Sequence, residues 1–263
     1  VLGVTGCMAQ RLGPRLMREA SGVDLVAGPD GYRRLGEPVV RTAKMFGHSG
    51  IAGRERAHVQ LVENGSVPGH IGARGTAYWN VRLLCHLFDF EEVRVHSRRP
   101  ESQEAFAEQL RRDLGREITV TEDWKSCLQD ADIVVEASRL SEPQPLLKTD
   151  WIKPGALVVP YGTMSAVELN LTDIMDKVVM DDWGQAHGVF GALREHVDQG
   201  KLTEETLHAE LGQIVAGVKP GRESAEETIL FWHRGLSLSD IALGHAMLAK
   251  AKDMGVGQRL RFY

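Results

Sequence analysis

The stretch Ile71-Gly72-Ala73-Arg74-Gly75-Thr76-Ala77 joins an extended, apolar segment ending at His70-Ile71 to a helical pattern. A strand, a tight glycine turn and a helix in immediate succession constrain the fold strongly. When the same alternation continues, the chain builds a parallel sheet covered by helices on both faces. Here it does continue. Residues Thr76–Phe88 place Ala77, Val81, Leu84, Cys85 and Phe88 on one helical face. The pattern then predicts a strand at Val93–His96, a helix at Ser102–Leu114 and a strand at Ile118–Val120. A short helix at Trp124–Leu128 and strands at Ile133–Ala137, Ala156–Tyr161 and Lys177–Met180 follow. The tail reads as helical, over Glu204–Ala216 and Ser239–Asp253. The expected class is α/β: a Rossmann-type, doubly wound, mainly parallel sheet with a helical C-terminal tail.

Ahead of this lies a short βαβ-like segment over residues 1–45. Strands are expected at Val1–Thr5 and Asp24–Ala27, with a helix from Met8 to Ala20 between them. The second strand closes on the turn Gly28-Pro29-Asp30-Gly31. Glycines punctuate residues 46–68, which read as a linker, and residues 69–263 read as the main domain. Composition excludes several classes. The 31 basic and 36 acidic residues are interspersed, so a nucleic-acid backbone finds no basic face. No apolar run is long enough to span a bilayer. Cys7, Cys85 and Cys127 are far apart, which fits a reducing, cytoplasmic setting, with Cys85 in the core. The ten histidines show no metal-ligand spacing.

The turn at 71–77 also bears on chemistry. A dinucleotide fingerprint reads G-x-G-x-x-G/A, and Gly72 and Ala77 match its ends while Arg74 replaces its middle glycine. Such a turn can lay a pyrophosphate on free helix amides, and it can also be a plain strand-to-helix turn. On the dinucleotide reading, Gly72, Ala73, Arg74, Gly75, Thr76 and Ala77 hold the pyrophosphate. The next strand ends in Ser97-Arg98-Arg99, without the carboxylate that would take a ribose 2′-hydroxyl. A hydroxyl and two guanidiniums suit a 2′-phosphate, which favours NADP(H) over NAD(H). Ala137, Ser138, Tyr161 and Gly162 stand at strand exits where a nicotinamide would lie. Asp181-Asp182 reads as a solvated acidic pair, and His233 as a polar group near the cleft.

Residues from about Gly69 onward resemble the ornithine cyclodeaminase/mu-crystallin family. The resemblance rests on Ile71–Ala77, Val93–Pro100, Asp130–Ala137 and Trp151-Ile152-Lys153-Pro154-Gly155. It continues through Glu210-Leu211-Gly212, Lys219-Pro220-Gly221-Arg222, Ser239-Asp240 and Lys250–Gly257. It implies an NAD(P) domain and hydride chemistry on small amino or imino acids: cyclodeamination, dehydrogenation or ketimine reduction. It also implies a homodimer. The family's acid/base Asp after the strand ending at Tyr161 is replaced by Met164, which cannot transfer a proton. Cyclodeamination is therefore disfavoured, and a non-catalytic NADP(H)-binding protein is the alternative reading. Arg41-Thr42-Ala43 is similar to the family's R-T-A helix, but its preceding substrate domain is not otherwise traced. Gly6-Cys7-Met8-Ala9-Gln10-Arg11 and Val23–Leu35 resemble part of the radical-SAM tRNA methylthiotransferases. That implies a second alternative, a relic of an iron–sulfur protein that retains Cys7 alone.

Overall fold

The computed structural model describes residues 2–5, 23–27, 65–73, 75–160, 162, 165–184 and 193–258. The expected helix at 8–20 and most of the linker lie outside them. The chain divides into two compact units, residues 58–234 and residues 1–57 with 235–263. These boundaries differ from those read in the sequence, because the closing residues group with the N-terminal ones. In the second unit, β1 (Leu2–Thr5) pairs in parallel with β2 (Val23–Ala27), ending Thr5 opposite Ala27.

The unit of residues 58–234 is built on one sheet. Its strands are β3 (Pro68–Ile71), β4 (Arg94–His96), β5 (Thr119–Val120), β6 (Ile133–Glu136) and β7 (Leu157–Pro160). They continue with β8 (Lys177–Met180), β9 (Ala209–Glu210) and β10 (Ile229–Trp232). The eight strands run in the order β5-β4-β3-β6-β7-β10-β8-β9, and every pairing is parallel. From β3 the chain steps outward to β4 and β5, then returns to lay β6 on the other side of β3. That reversal is the topological switch point, where two loops diverge and leave a crevice.

Alternation along the strands feeds two apolar layers. In β6, Ile133 and Val135 join one layer and Val134 the other, and all are nearly inaccessible to water. Burying each such side chain contributes about 1.5–3 kcal/mol. Helix α1 (Thr76–Leu87) and helix α2 (Pro100–Leu114) cover the first layer through Ala77, Val81, Phe106 and Leu110. Helix α3 (Trp124–Leu128) and the 3₁₀ turn Leu169–Ile174 cover the second through Cys127, Leu128 and Leu171. Gly69 permits the α3 side to sit this close: a Cβ there would lie 2.2 Å from the Cys127 carbonyl oxygen.

Two strands depart from the sequence expectation of a helical tail. Ala209–Glu210 forms β9, and Ile229–Trp232 forms β10, wedged between β7 and β8. The expected helix at 204–216 shortens to α5 (Leu211–Val215), after a preceding short helix, α4 (Arg194–Asp198). The Glu210 and Gln213 side chains cap α5 reciprocally, so the helix cannot begin before Glu210. Pro100 opens α2 two residues earlier than expected, since a first-turn proline forfeits no hydrogen bond. The closing helix α6 spans Ser237–Asp253. Among the described residues no helix is long and apolar enough to cross a membrane.

The edge where strands begin is clamped by charge. Lys177, nearly buried at the start of β8, donates to the Gly221 carbonyl at 2.7 Å and reaches Glu223 at 2.7 Å and Glu227 at 2.8 Å. The Pro220-Gly221-Arg222 stretch is thereby a structural fastening, with Arg222 donating to the Glu227 carbonyl.

His70, in β3, is fully buried beside Phe106, and burial lowers its pKa to about 4. Its folded pKa lies below the unfolded value of 6.5, so the associated stability is complete above that value. It is lost as pH falls through 6.5 toward about 4, by about 3 kcal/mol. Urea denaturation of wild type and His70→Leu across this range should show the wild type losing about that much more. Parallel acid limbs would remove His70 from the account.

Candidate functional site

The parallel register lines up the strand ends. Ile71 stands opposite both His96 and Glu136, Glu136 opposite Pro160, and Trp232 opposite Met180. The residues that follow, Gly72, Ser97, Ala137, Asp181 and His233, therefore emerge along one edge.

At the switch point the turns after β3 and β6 touch through their backbones. Gly72 has φ 108° and donates its N–H to the His96 carbonyl at 2.9 Å. Ala137 donates to the Ile71 carbonyl at 2.9 Å. A Cβ on Gly72 would fall 2.7 Å from the Ala137 carbonyl oxygen, so only glycine fits. Beside this contact α1 begins. Its cap, Gly75 (φ 50°), offers no side-chain acceptor, and its first turn has no acidic residue. The partial positive charge of the first-turn amides is thus left for an external anion. Arg74 lies outside the described residues. Ala77 is fully buried, so it contributes its amide to the helix end and its methyl to the core.

A cleft of about 480 Å³ opens between the ends of β4 and β5. Ser97 and Arg98 line it, and so do Glu122 and Trp124, which sequence reasoning missed. Arg99 does not line it and stands at the N-cap position of α2, making no side-chain capping hydrogen bond. Gln103 fixes this wall: it accepts from the Ser97 N–H at 2.8 Å and donates to the Thr121 carbonyl at 2.8 Å. His96 Nδ1 lies 2.9 Å from the same carbonyl, and its ring stacks edge-on to Trp124 at 4.4 Å. The signal for Gln103 was present, as a polar residue three positions before Phe106 on the apolar face of α2.

Further along the edge, Glu136 joins two loops. It is buried, and its Oε1 accepts from the Ser138 N–H at 2.7 Å and from the Ser138 hydroxyl. Its Oε2 accepts from the Gly162 N–H at 3.2 Å. Burial pushes its pKa up, opposed by these donors, which favour the anion. Gly162 permits the approach, since a Cβ there would meet Glu136 Oε2 at 2.8 Å. Tyr161 and Met164 lie outside the described residues.

Asp181 is not the solvated loop acid expected. It is 5% exposed, because its Oδ2 accepts from the Arg234 N–H at 2.7 Å and lies 3.1 Å from His233 Nδ1. Arg234 in turn donates to the Gly162 carbonyl at 3.1 Å. These links run between strands distant in sequence, which is why adjacency in the chain did not reveal them. Among the described residues, no three His, Cys, Asp or Glu side chains are grouped to hold a metal ion.

Replacing Glu136 by Gln turns one acceptor into a donor and sets an NH₂ against the Ser138 or Gly162 donors. The expected cost is about 1–3 kcal/mol of stability, read from the urea midpoint. An unshifted midpoint would show that the carboxylate does not hold the two loops.

Comparison with known proteins gives this geometry a context. Residues 40–254 match the ornithine cyclodeaminase/mu-crystallin family, a longer span than the resemblance traced from Gly69, and one that includes Arg41-Thr42-Ala43. Alanine dehydrogenase of Archaeoglobus fulgidus is 30% identical over 82% of this chain and 66% of its own. Δ¹-Pyrroline-2-carboxylate reductase of Bacillus cereus is 25% identical over 93% of this chain and 81% of its own. That alignment reaches well into residues 1–45, and the methylthiotransferase resemblance there finds no support. Among solved structures, Thermococcus litoralis Δ¹-pyrroline-2-carboxylate reductase with NADH and L-proline aligns at TM-score 0.69 and 29% identity. The alignment covers 76% of this chain and 62% of that one. An archaeal alanine dehydrogenase dimer with bound NAD aligns at 0.68 and 27%, covering 76% of this chain and 62% of its own. The chain thus spans about two thirds of the first of these curated relatives. A match over most of its length, on a parallel sheet with this switch point, means that the chain belongs to the ornithine cyclodeaminase/mu-crystallin family.

Proposed function

We propose that this chain binds a nicotinamide dinucleotide across the switch point and serves hydride transfer to or from a small amino or imino acid. The observation that carries the reading is the Gly72–Ala137 backbone contact beside an α1 terminus without a side-chain cap. Such a cradle fits a pyrophosphate, and a side chain at Gly72 would press into the Ala137–Ser138 backbone and part the two loops that form it. Relatives named for reducing Δ¹-pyrroline-2-carboxylate, or solved with NADH or NAD, support the same chemistry. When bound, the dinucleotide supplies or takes the hydride at the carbon bearing nitrogen.

The chain's own residues bind and orient. Gly72, Ala73, Arg74, Gly75, Thr76 and Ala77 hold the pyrophosphate, chiefly by backbone amides. Ala137, Ser138, Tyr161 and Gly162 flank the nicotinamide, with Glu136 keeping the Ser138 and Gly162 loops together. Ser97 and Arg98 line the cleft beyond β4 and favour a 2′-phosphate, hence NADP(H) over NAD(H). Arg99, next to it, adds positive charge. A dimer is proposed on the likeness to the archaeal dehydrogenase. A cytoplasmic setting suits Cys85 and Cys127, both reduced, with burial pushing the Cys127 thiol up to about 12. Met164 favours a second reading, binding without turnover, because it stands where the family's acid would.

Fluorescence titration with NADPH and NADH tests this reading. NADPH should bind more tightly, and Arg98→Ala should weaken NADPH about tenfold or more while changing NADH less than about threefold. Equal weakening of both would remove the 2′-phosphate assignment. Absence of binding for either cofactor would overturn the dinucleotide site.

A further inference from the structure

Parallel pairing between β4 and β5 is brief. Arg94 stands opposite Thr119 and Val95 opposite Val120, and the Thr121 N–H still reaches the Val95 carbonyl at 3.2 Å. Beyond that point the two chains part, and the cleft lies at their exits. Strand ends that separate leave backbone groups in need of other partners. One side chain supplies them. Gln103, buried on α2, accepts from the Ser97 N–H at 2.8 Å and donates to the Thr121 carbonyl at 2.8 Å. An acceptor toward one neighbour and a donor toward the other is what a peptide unit offers within a sheet. The amide thus takes the place of the missing rung. Its two ends are fixed by their partners, since an N–H must face the amide oxygen and a carbonyl the NH₂.

The same residue holds the turn from its other end. The Gln103 N–H donates to the Arg99 carbonyl at 3.0 Å, the bond that opens α2. Ser97, Arg98 and Arg99 are therefore fastened twice by Gln103, at Ser97 through its side chain and at Arg99 through its backbone. Arg98 is the middle residue of that turn. Pro100 stiffens its far side, with Arg99 extended before it at φ −108° and ψ 115°. The opposite anchor is firm as well. Thr121 is buried, and its carbonyl also faces His96 Nδ1 at 2.9 Å, so both lone pairs of that oxygen are engaged. The Ser97 N–H is spent inside the wall and is not offered to the cleft. Arg98 is exposed, and an exposed arginine carries much rotamer freedom. How well it meets a ligand then depends on how firmly its backbone is held.

Resting on the dinucleotide reading above, we propose that Gln103 is the positioning residue for the choice between cofactors. By fastening the Ser97–Arg99 turn at both ends, it holds Arg98 where a 2′-phosphate meets its guanidinium. Gln103 acts through Arg98 and makes no contact with the phosphate itself. NADH carries a hydroxyl at that place and draws little on the turn. Loss of the side-chain amide frees Ser97 from α2 and from the β5 exit, and the loss falls on NADPH. A purely structural amide would behave otherwise: its removal would weaken the fold and leave the preference between the cofactors as it was.

The test is titration of the full chain with NADPH and NADH at fixed ionic strength. Gln103→Met keeps the length of the side chain without its amide, and should lower the preference for NADPH over NADH about tenfold. In a cycle with Arg98→Ala, the double variant should bind NADPH within about twofold of Arg98→Ala alone, because the amide acts through that guanidinium. The donor side gives a second route that leaves Gln103 in place. Ser97→Pro removes the N–H, and should lower the NADPH preference about fivefold relative to Ser97→Ala. That comparison decides the matter if Gln103→Met does not fold. A lowered urea midpoint with an unchanged preference would assign Gln103 to stability alone and overturn the proposal. So would equal weakening of both cofactors, or losses that add in the double variant. A wild type that binds neither cofactor, or an Arg98→Ala variant with the wild-type preference, would instead remove the reading beneath the proposal. Those two titrations contain no change at Gln103, so the two failures are told apart.

Discussion

Everything on the working edge depends on one close approach, that of the Gly72 and Ala137 backbones at the switch point. The absence of a single β-carbon lets two divergent loops meet, and their meeting forms the floor of the crevice. α1 then starts at that floor, so its amide dipoles converge on the place where the sheet has opened. The cleft beyond β4 and β5 and the opposite ledge around Glu136 lie on either flank of the same point.

The opposite edge serves stability. Lys177 is held there by a carbonyl and two carboxylates, and the Pro-Gly-Arg stretch folds back over the start of β8. A motif shared with a catalytic family thus need not be catalytic, and here its geometry is that of a clasp. The separation of strand-start clamps from strand-end loops follows from parallel pairing, since all the loops that end strands must leave on one side.

Much of the fold was legible in the sequence. The glycine turn, the alternation of strands and helices, and the α1 and α2 stripes carry a local periodicity that chain-level reading detects. The Ile229–Trp232 strand was missed because a four-residue apolar run does not distinguish strand from helix, and its identity comes from insertion between β7 and β8. Ala209–Glu210 is shorter still, and its extended form is imposed by β8. For the site, glycines at tight turns were readable, since their need is local. Asp181 looked solvated beside Asp182 because its partners, His233 and Arg234, come from a strand more than fifty residues away. Gln103, Glu122 and Trp124 likewise acquire meaning only when α2 and the β5 exit converge.

Glu136 carries a consequence for recombination within the family. Its carboxylate is shared between the loop that follows its own strand and the loop that follows the next one. A β7-exit loop transplanted from a relative would arrive without its partner, facing an acid shaped for a different backbone. The heritable module at this edge is therefore a pair of loops plus the residue at 136, and chimaeras cut between β6 and β7 divide it.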